Sequence, residues 1–218
     1  MVITLDGPSG TGKSTLAKLI AKELGFKFLN TGMIYRSICY YFLVNGIMPE
    51  NTSSINNELQ NLKVEISFEE SNQHIKINGL DCTPYVSSKE VQEYVSVYSQ
   101  ILKIRKVVLN VQRSFAMDND IVIEGRDIGS EVFPNADYKF YVECDITIRA
   151  KRRYEDLVKN GQNTTLEDVI KSLENRDYLD KTREFSPLIK PADAHVIDTS
   201  TNTIEQSLTE ILSYIKIK

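Results

Sequence analysis

Nine residues near the start of the chain, GPSGTGKST (Gly7–Thr15), have the types and spacing to grip phosphate. They satisfy G-x-x-x-x-G-K-[ST], a pattern whose chemistry is physical. Gly7, Gly10 and Gly12 let backbone N–H groups wrap phosphate oxygens at a helix N-terminus, where the dipole already favours an anion. Pro8, Ser9, Thr11 and Thr15 complete the loop. Lys13 reaches terminal phosphates as a point charge, and the Ser14 hydroxyl suits Mg²⁺. A glycine loop can fit so short a pattern by chance, but here it has a strand before it and a helix after it. That context decides for a phosphate grip.

The elements that position the loop follow from apolar spacing. VITLD (Val2–Asp6) is a short apolar run that stops at a glycine, the signature of a buried strand. In STLAKLIAKEL, Leu16, Leu19, Ile20 and Leu24 recur at helical spacing, and Gly25 supplies a stop. Further strands are expected at FKFLN (26–30), IVIEG (121–125), YKFYVEC (138–144) and HVID (195–198). Strands alternating with helices predict an α/β fold: a parallel sheet of about five strands covered by helices. One segment departs from this rhythm. Val64, Ile66 and Phe68, then Ile75 and Ile77, alternate with polar residues around an EESNQ turn, which predicts an antiparallel hairpin. The expected organisation is one domain over 1–218, a small inserted subdomain over 60–95 and a linker at NGIMPENTSSINN before it.

A phosphate loop alone does not separate a kinase from a GTPase or a motor ATPase. There is no [NT]-K-x-D guanine-reading motif, and 218 residues leave no room for a motor's partner modules. A small phosphotransferase needs a second site for its acceptor, so cations at strand ends matter next. NTGMIYRS places Arg36 about a turn after Thr31, close behind the second strand. IEGRDIG places Arg126 and Asp127 at the C-terminal end of a strand, the rim where ligands of open α/β sheets bind. Arginine suits phosphate because its planar fork is bidentate and stays charged. In TTLEDVIKSLENRDYLDKTREFSP a Thr165-x-x-Asp168 capping box opens a helix that stops before Pro187. Leu166, Val169, Ile170 and Leu173 form its stripe, which Arg176, Asp180 and Arg183 extend towards a cleft or, alternatively, as a solvated ion-pair set. Arg149, Arg152 and Arg153 form a basic run that is either a solvated face or a lid, residues 149–164, over the transferring phosphate.

Taken together, ITLDGPSGTGKSTLAK, LNTGMIYR, YVSVYSQILKIRKVVLNVQR, EGRDIGSEVFPNADYKFYV and RDYLDKTREFSPL resemble the bacterial cytidylate kinase family, essentially from end to end. The resemblance implies a P-loop kinase fold with an enlarged nucleoside-monophosphate-binding insert and a helical lid. It implies transfer of the γ-phosphoryl group of MgATP to CMP or dCMP. Arg36, Arg126 and Arg183 would then hold the acceptor phosphate, with Arg176 and Asp180 at the pentose. Ser96, Arg105 and Asp127 would read cytosine, with Thr31 near the nucleoside. Lys13, Arg149, Arg152 and Arg153 would neutralise the transferring group. Glu124 would orient Mg²⁺ through water, alongside Ser14. The chain departs from the family pattern at Asn30 and Glu124, where aspartates are usual, and at Ser87 and Lys103.

Composition sets limits on partners. The formal net charge of −4 argues against a general nucleic-acid coat. Cys39, Cys82 and Cys144 form no CxxC pattern, so reduced thiols are expected. No apolar run approaches a membrane span, and no basic, apolar leader opens the chain, so a cytoplasmic protein is expected, without membrane partners and working as a monomer. His74 and His195 lack ligand-spaced companions and are expected to be structural. Two rivals stay open: a kinase of another small acceptor such as UMP, and a module that binds ATP without turnover.

Overall fold

The computed structural model describes residues 1–69, 72–159 and 161–216. The chain divides into two compact units, residues 1–26 with 120–218, and residues 27–119.

The first unit is built on parallel strands: β1 (Val2–Asp6), β6 (Ile121–Gly125), β7 (Tyr138–Glu143) and β8 (His195–Asp198), in the order β6-β1-β7-β8. Register sets Asp6 opposite Gly125 on one side and Tyr141 on the other. The end of β1 is therefore level with the end of β6, while β7 runs on to Glu143. Ile3, Leu5, Ile121, Val122, Ile123 and Val142 are fully buried, as a parallel sheet covered on both faces requires. The parallel sheet has five strands in all, the class expected from the sequence. Around it run α1 (Lys13–Leu24), α6 (Ile146–Lys159), α7 (Leu166–Thr182) and α8 (Ile204–Tyr214). Helix α1 ends at Gly25 in the left-handed conformation, as expected. His195 stacks on Tyr214 at 4.0 Å between ring centroids, a structural contact.

The second unit holds β2 (Lys27–Asn30), α2 (Thr31–Val44), α3 (Thr52–Gln60), α4 (Lys89–Tyr98) and α5 (Leu102–Met117). It also holds the antiparallel sheet β3 (Val64–Glu69), β4 (Asn72–Ile77), β5 (Leu80–Asp81). Val64 faces Ile77 and Ile66 faces Ile75, so the alternation seen in the sequence does set the register. The EESNQ turn includes Glu70 and Ser71, which lie outside the described residues. His74 of the hairpin faces Glu69 at 3.7 Å. Gln73 faces the other way and is buried: its amide accepts from the Asn30 N–H at 2.7 Å and donates to the Asn30 carbonyl at 3.3 Å. That pair of bonds fastens β4 to β2.

Three expectations need correction. The second half of the expected linker opens α3, which Asn51 caps by accepting from Ser54 N at 3.2 Å while Ile55 is buried. Its polar composition hid a helix that needs only one apolar anchor. At the start of α7, Thr165 accepts from Asp168 N at 3.1 Å, but its hydroxyl donates to the Asp168 carboxylate at 2.7 Å. The return bond of a capping box thus goes to the side chain. Finally, α7 stops at Thr182 and Arg183 is its extended C-cap. The buried stripe Val169, Leu173 ends in Asp177, and Arg183 is buried after the helix has ended.

Candidate active site

Gly7 has φ +144°, and a Cβ placed there would lie 2.2 Å from the Val142 carbonyl oxygen. Only glycine lets the loop leave β1 this close to β7. Gly12 caps α1 with φ 86°, which turns the chain into the helix. The loop is tied from below by Thr199, whose hydroxyl donates to the Thr11 carbonyl at 2.8 Å. This sets the turn after β8 against the loop.

Lys13 is buried and bends back on its own loop, donating to the Pro8 carbonyl at 2.5 Å and to Thr11 Oγ1 at 3.3 Å. Burial pulls its pKa down to about 7, and the nearby Arg126 charge adds to the shift against the pull of Glu124, Asp6 and Asp180. Ser14 Oγ donates to Glu124 Oε1 at 2.9 Å, so the two residues expected around Mg²⁺ are neighbours. Among the described residues no group of three or more His, Cys, Asp or Glu could hold a metal ion alone. A hydroxyl and one carboxylate fit Mg²⁺, which keeps several waters and shares the substrate's phosphate oxygens.

Arg126 and Asp127 follow the C-terminal end of β6, and Arg183 follows the end of α7. Arg126 Nε donates to Asp180 Oδ2 at 2.8 Å. Arg183 Nη1 lies 3.4 Å from Asp180 Oδ1, and its Nη2 lies 3.5 Å from Asp127 Oδ1. The result is a chain of alternating charge, Arg126–Asp180–Arg183–Asp127, in which Arg183 and Asp127 are buried and Arg126 and Asp180 partly so. Burial works against the charge of Arg126, but Asp180 and Glu124 hold its pKa above the ordinary value. Burial likewise opposes ionisation of Asp180, and Arg126, Arg176 and Arg183 outweigh it, so its pKa is lowered. Arg176 therefore acts on the same carboxylate.

Asp6 was not singled out by the sequence reading, yet it braces this chain. Its carboxylate accepts from Ile128 N at 2.9 Å and Gly129 N at 2.6 Å, at the start of a π-helical turn (Ile128–Val132) directly after Asp127. Gly129 leaves room for it, since a Cβ there would lie 2.9 Å from Thr4 Oγ1. Burial pushes the Asp6 pKa up to about 7 against the two N–H donors. The available signal was a lone carboxylate closing an otherwise apolar strand.

The basic run of α6 is divided. Arg149 is buried: its Nε donates to the Cys144 carbonyl at 3.1 Å and Nη1 to the Ser9 carbonyl at 2.9 Å. Arg152 Nη2 donates to the Thr199 carbonyl at 2.8 Å. Arg153 is partly exposed on the same helix. Asn160, part of the expected lid, lies outside the described residues.

In the second unit Thr31 opens α2, capped by Asn30, whose side chain accepts from Met33 N at 3.0 Å. The unusual asparagine keeps the capping function an aspartate would have. Arg36 folds back over the start of the helix. A Cβ on Gly32 would lie 3.0 Å from its Nη1. Arg105 of α5 is buried, donates to the Ser99 carbonyl at 3.0 Å and stacks over the Tyr35 ring at 5.5 Å. Ser96 sits on α4, its carbonyl accepting from Ser99 Oγ at 3.0 Å. Helix α2 packs on both α4 and α5, so this unit gathers Thr31, Arg36, Ser96 and Arg105 on three adjoining helices.

Comparison with known proteins agrees across the whole chain. A family model described as cytidylate kinase matches residues 3–217. The chain is 39% identical over 221 residues to a protein named cytidylate kinase from Clostridioides difficile, covering 100% of this chain and 99% of the relative. It is 37% identical to one from Halalkalibacterium halodurans, covering 99% and 97%. Among solved structures, an uncharacterized protein from Eubacterium ventriosum aligns over 100% of this chain and 99% of its own, with a TM-score of 0.54 at 11% identity. That likeness concerns the fold.

Proposed function

The chain belongs to the cytidylate kinase family, and from that premise we propose how its residues divide the work. The enzyme transfers the γ-phosphoryl group of ATP to CMP or dCMP, giving ADP and CDP or dCDP. Gly7–Thr15 hold the donor phosphates, with Lys13 at the β- and γ-phosphates. Arg36, Arg126 and Arg183 bind the acceptor phosphate, and Arg176 and Asp180 face the pentose. Ser96, Arg105 and Asp127 read the base, with Thr31 beside the nucleoside. An oxygen of the acceptor phosphate attacks the γ-phosphorus in line as the bond to the β-phosphate oxygen breaks. That oxygen is already anionic, so no protein nucleophile or obligatory base is needed. Lys13, Arg149, Arg152 and Arg153 neutralise the charge that spreads over the transferring group. Mg²⁺, held by Ser14 and through water by Glu124, supplies further neutralisation of the phosphate oxygens when bound. Residues 60–95 act as the acceptor-side insert and 149–164 as the lid, whose closure excludes water.

One observation carries this reading: the ion-pair chain Arg126–Asp180–Arg183–Asp127 in the same unit as the phosphate loop. Two planar guanidiniums held by carboxylates are prepared for an exchange of anions, from aspartate to phosphate. We also propose that the enzyme acts in the cytoplasm as a monomer, without nucleic-acid or membrane partners. The net charge of −4 supports this, and among the described residues no helix is long and apolar enough to cross a membrane.

Cytosine offers an N4 amino donor with N3 and O2 acceptors, and uracil reverses the first two. A carboxylate and an arginine built for cytosine are mismatched to uracil. Asp127→Ala is therefore expected to lower the CMP-over-UMP preference in kcat/KM by about tenfold or more. An unchanged preference, measured with both acceptors at saturating ATP, removes Asp127 from base reading.

A further inference from the structure

Asp177 has no part in the division of labour above, yet it is 8% exposed and charged. We propose that it is a positioning residue for phosphoryl transfer, holding Arg149 against the donor phosphate loop. Its Oδ2 lies 2.7 Å from Arg149 Nη1, the nitrogen that also donates to the Ser9 carbonyl of the loop at 2.9 Å. Arg149 Nε is fixed at the same time by the Cys144 carbonyl at the end of β7. Gly10 packs on the arginine's stem, since a Cβ there would lie 3.4 Å from Arg149 Cβ. Four parts of the chain thus meet at one guanidinium: α6, which bears it, the end of β7, the phosphate loop, and α7 through Asp177.

A stability role alone does not account for this carboxylate. Asp177 Oδ1 is buried and accepts no hydrogen bond among the described residues, so half of its desolvation is not compensated. A buried ion pair of this kind is often no more stabilising than apolar side chains of similar volume. Asp177 and Arg149 also line one cavity of about 360 Å³ with Pro8, Lys181 and Ser200. A charged pair kept at such a cost, in the wall of a cavity that includes the phosphate loop, fits a functional constraint on where the guanidinium sits. Arg149 is the group that touches substrate, and Asp177 acts through it.

This inference rests on the reading of Gly7–Thr15 as the donor grip. The test uses the full chain as wild type, Asp177→Asn, Arg149→Met and the double variant. Asp177→Asn keeps the shape while removing the charge. Calorimetric titration with a non-hydrolysable ATP analogue, and kcat and KM for ATP and CMP, are the readouts. The expected result for Asp177→Asn is kcat lower by about ten- to a hundredfold and weaker analogue binding, with KM for CMP unchanged. Because Asp177 acts through Arg149, adding Asp177→Asn to Arg149→Met is expected to cause no further loss. Wild-type kcat and analogue affinity in a folded Asp177→Asn variant overturn the proposal. So does a double variant slower than Arg149→Met by the full single-variant factor. If Asp177→Asn does not fold, Asp177→Leu with Arg149→Met supplies an apolar pair, and wild-type turnover in that protein is contradictory. Failure of the functional reading shows separately, as wild-type protein that binds the ATP analogue but gains no turnover from CMP.

Discussion

Replacing Lys13 by methionine is expected to lower kcat by about 10²- to 10³-fold, the scale for losing one preorganised donor to developing phosphate charge. The side chain keeps its length and volume, so the packing around Pro8 and Thr11 stays nearly the same. The charge that the buried site tolerates poorly disappears, and linkage gives the sign. In the unfolded chain the ammonium ionises near 10.5, whereas in the folded protein burial holds it at about 7. Between those values the unfolded state binds the extra proton, so wild-type stability falls as pH drops from about 10.5 to about 7. The methionine variant has no such dependence at this position. Its stability relative to wild type therefore rises as pH is lowered through that window, while its activity stays low throughout. Thermal melts of nucleotide-free protein at pH 7 and pH 10, paired with single-turnover rates, check both halves. A variant with wild-type kcat removes Lys13 from the transfer step.

Gly7→Ala is expected to fail for a different reason. The new methyl lands 2.2 Å from a backbone oxygen of β7 that no rotamer change can move. Its φ of +144° is also one that L residues rarely adopt. Overpacking costs about 1–3 kcal/mol and the dihedral about 1–3 kcal/mol. A loss of roughly 3 kcal/mol or more lowers the melting temperature by about 6–12 °C at this chain length. Gly46→Ala is the control. Its φ is +67°, but nothing lies within 4 Å of the added methyl, so only the left-handed cost of about 1–2 kcal/mol applies. Equal melting temperatures for the two variants exclude the clash as the cause.

The parts of the fold legible in the sequence are those with a one-dimensional signal. Short apolar runs ending in glycine or a polar residue located β1, β6, β7 and β8, and period-two alternation located β3 and β4. Helix α3 escaped because a capped, polar nine-residue helix with one buried isoleucine resembles a loop in composition. The π-helical turn after Asp127 escaped because it depends on Asp6, which lies 122 residues away from Ile128. Asp177 shows how close the pattern came. It stands four residues after Leu173, on the track that Val169 and Leu173 define, whereas the extension followed Arg176, Asp180 and Arg183. That neighbouring track supplies ion-pairing groups at the helix end, and only tertiary structure shows Arg149 waiting opposite Asp177. The loop Gly7–Thr15 has a strong one-dimensional signal because glycine spacing and the helix N-terminus act within nine residues.

The deciding measurement is ADP formation from MgATP with CMP, dCMP, UMP and AMP offered separately, against a control without acceptor. CMP and dCMP are expected to stimulate strongly, with CDP or dCDP formed in equal amount to ADP, and UMP and AMP weakly. ADP formation that is the same with and without CMP contradicts the proposed function.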